Sequence, residues 1–273
     1  MSLERLTPGQ WARMQVMALK AVLQVASLTI PRMLVPGRLG KKLAGEPRQR
    51  GGLILVLPGI EGESVINHNI ARGLDDAGLA DAIEIFDWTR GRLFLFDNLM
   101  NRSRNARQAD LLAHRIRHYQ HEYPDRPVHL VGHSGGGALA VMALERLGAD
   151  HPITAAVLLA PALSPRYNLV PALRATVRGI HSLYSRHDTF YLGAGTAIFG
   201  TMDRKRTFAA GKVGFHVPEG LPPGDADVYR TKLRQVTWQY GMLADGHAGG
   251  HIGPSDRRFV RKWVSPIILD HRA

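Results

Sequence analysis

Short apolar runs of strand length alternate with helix-like stretches along most of this chain, and that alternation limits its fold more than any other feature. Leu53–Leu57 reads LILVL without a polar residue and breaks at Pro58-Gly59. Runs at 82–86, 127–131, 155–160, 180–184 and 235–240 also read as strands. Between them lie a helix-compatible stretch ending near Gly78, a helix at 106–123, and further helices at 135–147, 170–178 and 257–269. In the 106–123 stretch, Leu112, Ile116, Tyr119 and Tyr123 share one face at helical spacing. Continuous apolar strands, lacking in–out alternation, belong to a sheet covered on both faces. The pattern therefore predicts a three-layer αβα domain over 51–273 with a mostly parallel, doubly wound sheet. Ligands in such sheets sit beyond the carboxyl ends of the strands, so the loops there carry the interest.

One of those loops is distinctive. Gly132-His133-Ser134-Gly135-Gly136 follows a strand directly and opens a helix of small residues. A sharp strand-to-helix turn holds the central serine in a strained backbone conformation and exposes its hydroxyl. Glycines two before and two after remove side chains that would collide there. The N–H of Gly135 lies at a helix N-terminus, where the dipole helps it donate to a developing oxyanion. Gly132, Gly135 and Gly137 loosely match a nucleotide-binding loop as well. That loop opens a first βα unit and needs an acid ~20 positions on; this turn is mid-chain and no suitable acid follows.

A serine hydroxyl needs an imidazole to take its proton and a carboxylate to hold that imidazole. The loop after the last expected strand holds two histidines, His247 and His251, in glycine-rich surroundings. Asp188 follows the 180–184 strand, and Asp203 is its rival. From about residue 51 to 269 the chain resembles the α/β-hydrolase family, particularly its esterase and lipase-like serine hydrolases. The resemblance rests on the strand order, the Ser134 turn and the chain order Ser, Asp, His. It implies Ser134 as nucleophile, Asp188 as acid and His251 as base, since Gly-Gly-His resembles the family's pre-helix turn. His247 stays open as the alternative base. It further implies a second oxyanion donor after an early strand, for which Ile60 N–H is the candidate and Glu61 the alternative. The family often has His-Gly at that point, and this chain has Pro58-Gly59. The implied activity is cleavage of a small acyl ester through an acyl-enzyme, with no cofactor and no metal. Acyl transfer on the same residues, or a non-catalytic hydrolase-like protein bound to a membrane or partner, are the alternatives.

Composition narrows the remaining classes. The 273 residues include no cysteine, which excludes a disulfide scaffold, a thiolate metal site and a cysteine nucleophile. Lys and Arg number 35 against 23 Asp and Glu, a net charge of +12 that favours anionic partners. The basic residues are scattered and aromatics reach only 7%, so nucleic acid is not expected. Residues 14–30 form an apolar stretch with Arg13, Lys20, Gln24 and Ser27 on one narrow stripe, an amphipathic helix ended by Pro31 and Pro36. Arg38, Lys41, Lys42, Arg48 and Arg50 make a basic linker behind it. Residues 1–50 thus form a unit that either packs on the main domain or rests on an anionic membrane surface. A cytoplasmic or peripherally membrane-associated location fits both.

Other features have plainer readings. His114, His118 and His121 have helical spacing but share a face with Arg115 and Arg117, which reads as a solvated basic surface. Leu93-Phe94-Leu95-Phe96 leaves a strand end and reads either as an apolar wall for an acyl chain or as packing. His133 and His187 adjoin the candidate residues and read as pocket walls. The stretch 191–229 reads as a long insertion over the substrate.

Overall fold

Leu53–Leu57 (β1) is buried at every position. Its alternate residues serve two cores: Leu53, Leu55 and Leu57 face one cluster, Ile54 and Val56 the other. A strand apolar on both sides needs helices on both sides, and they are present. The computed structural model describes residues 43–188 and 200–270. Its sheet has six parallel strands in the order β2-β1-β3-β4-β5-β6. The others are Ala82–Ile85 (β2), Val128–His133 (β3), Ala155–Leu159 (β4), Ile180–Tyr184 (β5) and Leu233–Thr237 (β6).

Helix α1, Val65–Asp76, buries Ile70, Ala71 and Leu74 on one face of the sheet. Phe259, Val260, Val264 and Ile268 of the C-terminal helical segment 257–270 join it there. On the other face lie α2, Arg102–Glu122, and α3, Gly135–Leu147. The segment 257–270 contains a π-helical turn, Val260–Val264. Ser265 N–H closes the wide turn onto Val260 O, and the Ser265 hydroxyl donates to the same carbonyl at 3.2 Å; Pro266, next along, has no N–H to offer Lys262 O.

β2 lies on one side of β1 and β3 on the other, so the winding reverses between β1 and β3. A crevice opens at such a switch point. The loops that border it are Pro58–Gly62 after β1 and the Ser134 turn after β3. Helix α3 packs tightly against β1 at Gly136. A methyl there would fall well inside contact distance of the Leu57 and Pro58 carbonyl oxygens. Neither backbone can yield, so Gly136→Ala is expected to cost about 3 kcal/mol or more, read as a drop in the urea midpoint at unchanged slope.

Several boundaries differ from the sequence expectation. The last strand is Leu233–Thr237, beginning two residues before the run at 235–240, and it follows helix α4, Pro223–Lys232, most of which falls within the expected insertion. β6 is an edge strand and half-exposed, so its hydrophobic signal is weak. The helix expected at 170–178 is confined to Val170–Arg174. The end of the expected linker is part of the domain. Leu43 is buried in a core cluster, and Arg48 bonds Asp75 Oδ1 (2.8 Å), Leu79 O (2.6 Å) and Asp81 O (2.8 Å). The expected helix at 14–30, Pro31, Pro36, Arg38, Lys41 and Lys42, and part of the insertion at 191–199, lie outside the described residues.

Candidate active site

Ser134 is the hinge between β3 and α3. Its backbone has φ 54° and ψ −117°, a conformation costly for any residue with a side chain. The strain is held from both sides. Ser134 N–H donates to Leu159 O at 2.9 Å, and its carbonyl accepts from Gly137 N–H and Ala162 N–H at 3.0 and 3.1 Å. Gly132 meets Gly136 so closely that a Cβ would strike its carbonyl. The spacing of glycines around the serine is thus a packing requirement of the turn itself.

Asp188 and His251 meet, although they lie 63 residues apart: His251 Nδ1 is 2.6 Å from Asp188 Oδ2. Both are buried, at 2% and 7% exposure, which deprives the carboxylate of competing water. With the carboxylate ionised, Nδ1 carries the proton and Nε2 keeps a lone pair. The two loops are also stitched together. Ser185 Oγ donates to Gly249 O at 2.6 Å, and Ser185 O accepts from Asp188 N–H at 3.1 Å. The residue before the serine joins them to the turn: His133 Nε2 lies 2.9 Å from His251 O, and the two rings are 4.9 Å apart. A carbonyl only accepts, so His133 is the Nε2–H tautomer.

The loop after β1 supplies backbone donors beside Ser134. A Cβ on Gly135 would lie 3.5 Å from Ile60 N and 3.2 Å from the Trp88 ring, so these groups close around the start of α3. Among the described residues no backbone acceptor is bonded to Ile60 N–H or Gly135 N–H. The Ile60 peptide is held by its other end, where Asn98 Nδ2 donates to Ile60 O at 2.8 Å. Trp88 Nε1 donates to Pro58 O at 2.7 Å. Glu61 turns inward and is buried, its carboxyl against the Gly59 backbone and accepting from Asn67 Nδ2 at 3.4 Å. Burial pushes its pKa up, against the pull of its hydrogen bonds and of nearby His251.

A family model for the alpha/beta hydrolase family matches residues 47–270. The chain belongs to that family. Similar solved structures include Est1E from Butyrivibrio proteoclasticus, 11% identical over 81% of this chain and 88% of that one, with a TM-score of 0.49. Esterase PE8 is 13% identical over 84% and 94%, with a TM-score of 0.47. A cutinase-like protein from Cryptococcus sp. is 15% identical over 80% and 93%, with a TM-score of 0.44. No curated protein matches this hydrolase-family chain significantly in sequence.

Other expected residues fall elsewhere. Among the described residues, His247, the alternative base, has no carboxylate hydrogen bond. Its Nδ1 accepts from Gly249 N–H at 3.1 Å, and its ring packs edge-on against Phe259, 4.8 Å away. Asp203 bonds Ser164 N–H (2.9 Å), Ser164 Oγ (2.5 Å) and Thr201 Oγ1 (2.5 Å), so it fastens a loop. His133 is not a pocket wall but a fully enclosed anchor at 1% exposure. His187 is exposed and lies edge-on to Trp238 at 4.8 Å. His114, His118 and His121 line the outer face of α2. The side chains at 93–96 point outward and form no buried wall. The anchoring roles of Asn98, Ser185 and Trp88 have no local sequence signature, because their partners come from distant segments.

Burial lowers the pKa of His133 to about 3 and of His247 to about 4, so both rings are neutral in the fold. Unfolding lets each bind a proton below its ordinary value of about 6.5. Their stabilising contribution is complete above that value and is lost as pH falls toward the folded values. Each ring is expected to remove about 2 kcal/mol of stability between pH 7 and pH 5. Urea titrations at the two pH values read this, and His247→Gln is expected to remove half of the pH dependence.

Proposed function

We propose that this chain is a serine hydrolase that cleaves a carboxylic ester or related acyl compound through an acyl-enzyme. The observation that carries this is the short, buried Asp188–His251 hydrogen bond, tied through His133 to the strained turn bearing Ser134. His251 Nε2 accepts the Ser134 hydroxyl proton as Oγ attacks the acyl carbon. The carbonyl oxygen takes the negative charge and is met by the N–H groups of Gly135 and Ile60. The C–O bond to the leaving alcohol breaks, and His251 returns the proton to that alcohol. Water then adds to the acyl-enzyme with His251 again as base, releasing a carboxylic acid and Ser134. Asp188 keeps the imidazole in its Nδ1–H tautomer and stabilises the imidazolium throughout.

Two measurements test the reading. A fluorophosphonate probe is expected to label the protein at Ser134, and aryl esters of increasing acyl length are expected to be hydrolysed with an optimum that sizes the cleft. Absence of both would remove the proposal. Products analysed with an added alcohol separate hydrolysis from transfer to that alcohol. Glu61 gives a finer check. Its buried carboxyl packs against the Gly59 backbone, next to Ile60, and helps set where the Ile60 N–H points. Glu61→Ala is expected to lower kcat by roughly 10–100-fold with KM little changed, since a donor misplaced by an ångström loses most of its effect. A change confined to KM would assign Glu61 to binding instead.

A further inference from the structure

Four successive large apolar side chains stand on the surface where β2 leaves the sheet. Leu93 is 94% exposed, Phe96 61%, Phe94 42% and Leu95 36%. A run of this kind is unfavourable in water unless something covers it. It is not a frayed loop. Its base is fastened by Asn98, whose Nδ2 bonds Ile60 O and Gly91 O and whose Oδ1 accepts from Arg90 N–H at 3.0 Å. Asn105 Nδ2 holds Asn98 O at 2.9 Å. The apolar tip is therefore built onto the loop that presents Ile60 N–H.

Cations flank it. Arg204, Lys205 and Arg206 are exposed in the segment beyond β5, and Arg204 Nη1 bonds Met100 O at 3.0 Å, which sets this triplet beside the apolar turn. Arg102 is exposed at the start of α2. Among the described residues none of these four is in a salt bridge. The acids nearby are engaged: Asp97 with Arg90 and Asn101, Asp87 with Thr89 and the Glu63 N–H, and Asp203 with Ser164 and Thr201. An exposed apolar tip flanked by exposed cations that form no salt bridge among the described residues complements a surface that is anionic outside and apolar beneath, which is that of an anionic lipid bilayer.

We infer that the 93–96 turn and the Arg204-Lys205-Arg206 triplet form a docking surface for an anionic membrane, on the turn that Asn98 fastens to the Ile60 loop. The substrate class that follows, an amphiphilic acyl ester taken from the lipid interface, rests on the catalytic reading above. The docking surface itself does not.

The test uses full-length protein carrying Ser134→Ala, so that binding is read without turnover. Sedimentation with phosphatidylcholine vesicles, with and without phosphatidylglycerol, is expected to show partition that depends on the anionic lipid and falls with salt. Leu93→Asp/Phe96→Asp and Arg204→Glu/Lys205→Glu/Arg206→Glu are each expected to weaken it by at least ~10-fold. On the Ser134 background, the same surface changes are expected to leave hydrolysis of a soluble aryl ester within about twofold, since these exposed side chains take no part in the proposed chemistry. Unchanged partition in both variants would overturn the inference and leave the 14–30 segment as the binding element. Equal partition to both vesicle types would overturn it too. So would self-association abolished by Leu93→Asp without vesicle binding, since the patch would then join copies of the chain. A protein that binds vesicles but takes no phosphonate label would sink the catalytic reading and leave the docking surface standing.

Discussion

Ser134→Ala is expected to reduce kcat for an aryl ester by roughly 10⁴–10⁶-fold and to abolish fluorophosphonate labelling. The loss is large because the proposed base, acid and backbone donors all act on one oxygen, and nothing else in the turn can form the acyl bond. KM is expected to change little, since Ser134 Oγ contributes to bond making and scarcely to ground-state binding. The fold is expected to survive. Ser134 holds its strained conformation through backbone hydrogen bonds to Leu159, Gly137 and Ala162, and alanine keeps all of them. A circular dichroism spectrum and urea midpoint close to wild type would therefore accompany the lost activity. Full hydrolysis by Ser134→Ala would place the nucleophile elsewhere and remove the mechanism.

The two late histidines are expected to separate just as sharply. His251→Ala removes the ring bonded to Asp188 and is expected to cost about as much as Ser134→Ala, because the proposed mechanism uses the three residues as a unit. Asp188→Asn is expected to cost roughly 10⁴-fold, since an amide nitrogen facing Nδ1 favours the wrong tautomer. His247→Ala is expected to do something different. It empties a ring site against Phe259 and beside Gly253 and takes the acceptor from Gly249 N–H. Stability is expected to fall by about 2–4 kcal/mol while kcat at a permissive temperature stays within about tenfold. Steady-state kinetics and thermal melts on the same preparations check both halves. A dead but stable His247→Ala would reverse the assignment.

Much of the fold was legible because the strands are apolar on both faces. A run such as LILVL has no reading on a half-solvated sheet, so helices above and below follow directly. The Ser134 turn was legible for a similar reason, as its glycines answer contacts within the turn itself, Gly132 against Gly136 above all. β6 was misplaced because an edge strand buries little and need not be apolar. Helix α4 was missed because only Tyr229 along it is buried, leaving almost no hydrophobic period to detect. The choice between His247 and His251 was open because both sit in glycine-rich sequence with no local mark of their role. Likewise, nothing near Asn98 or Ser185 in sequence announces a partner 38 or 64 residues away.

Sequence alone determined the layered α/β architecture, the serine at its strand-to-helix turn, and the pool of acids and imidazoles able to serve it. These follow from side-chain period and from close-range sterics, which are properties of neighbouring residues. Only the tertiary structure decided which imidazole meets a carboxylate, that His133 is an anchor, that the Ile60 peptide is held by Asn98, and that the 93–96 turn faces outward beside a basic triplet. Those outcomes depend on where strand ends arrive in space. A hydrogen bond such as His251 to Asp188 is made by the register and order of the sheet, which no stretch of the chain encodes locally.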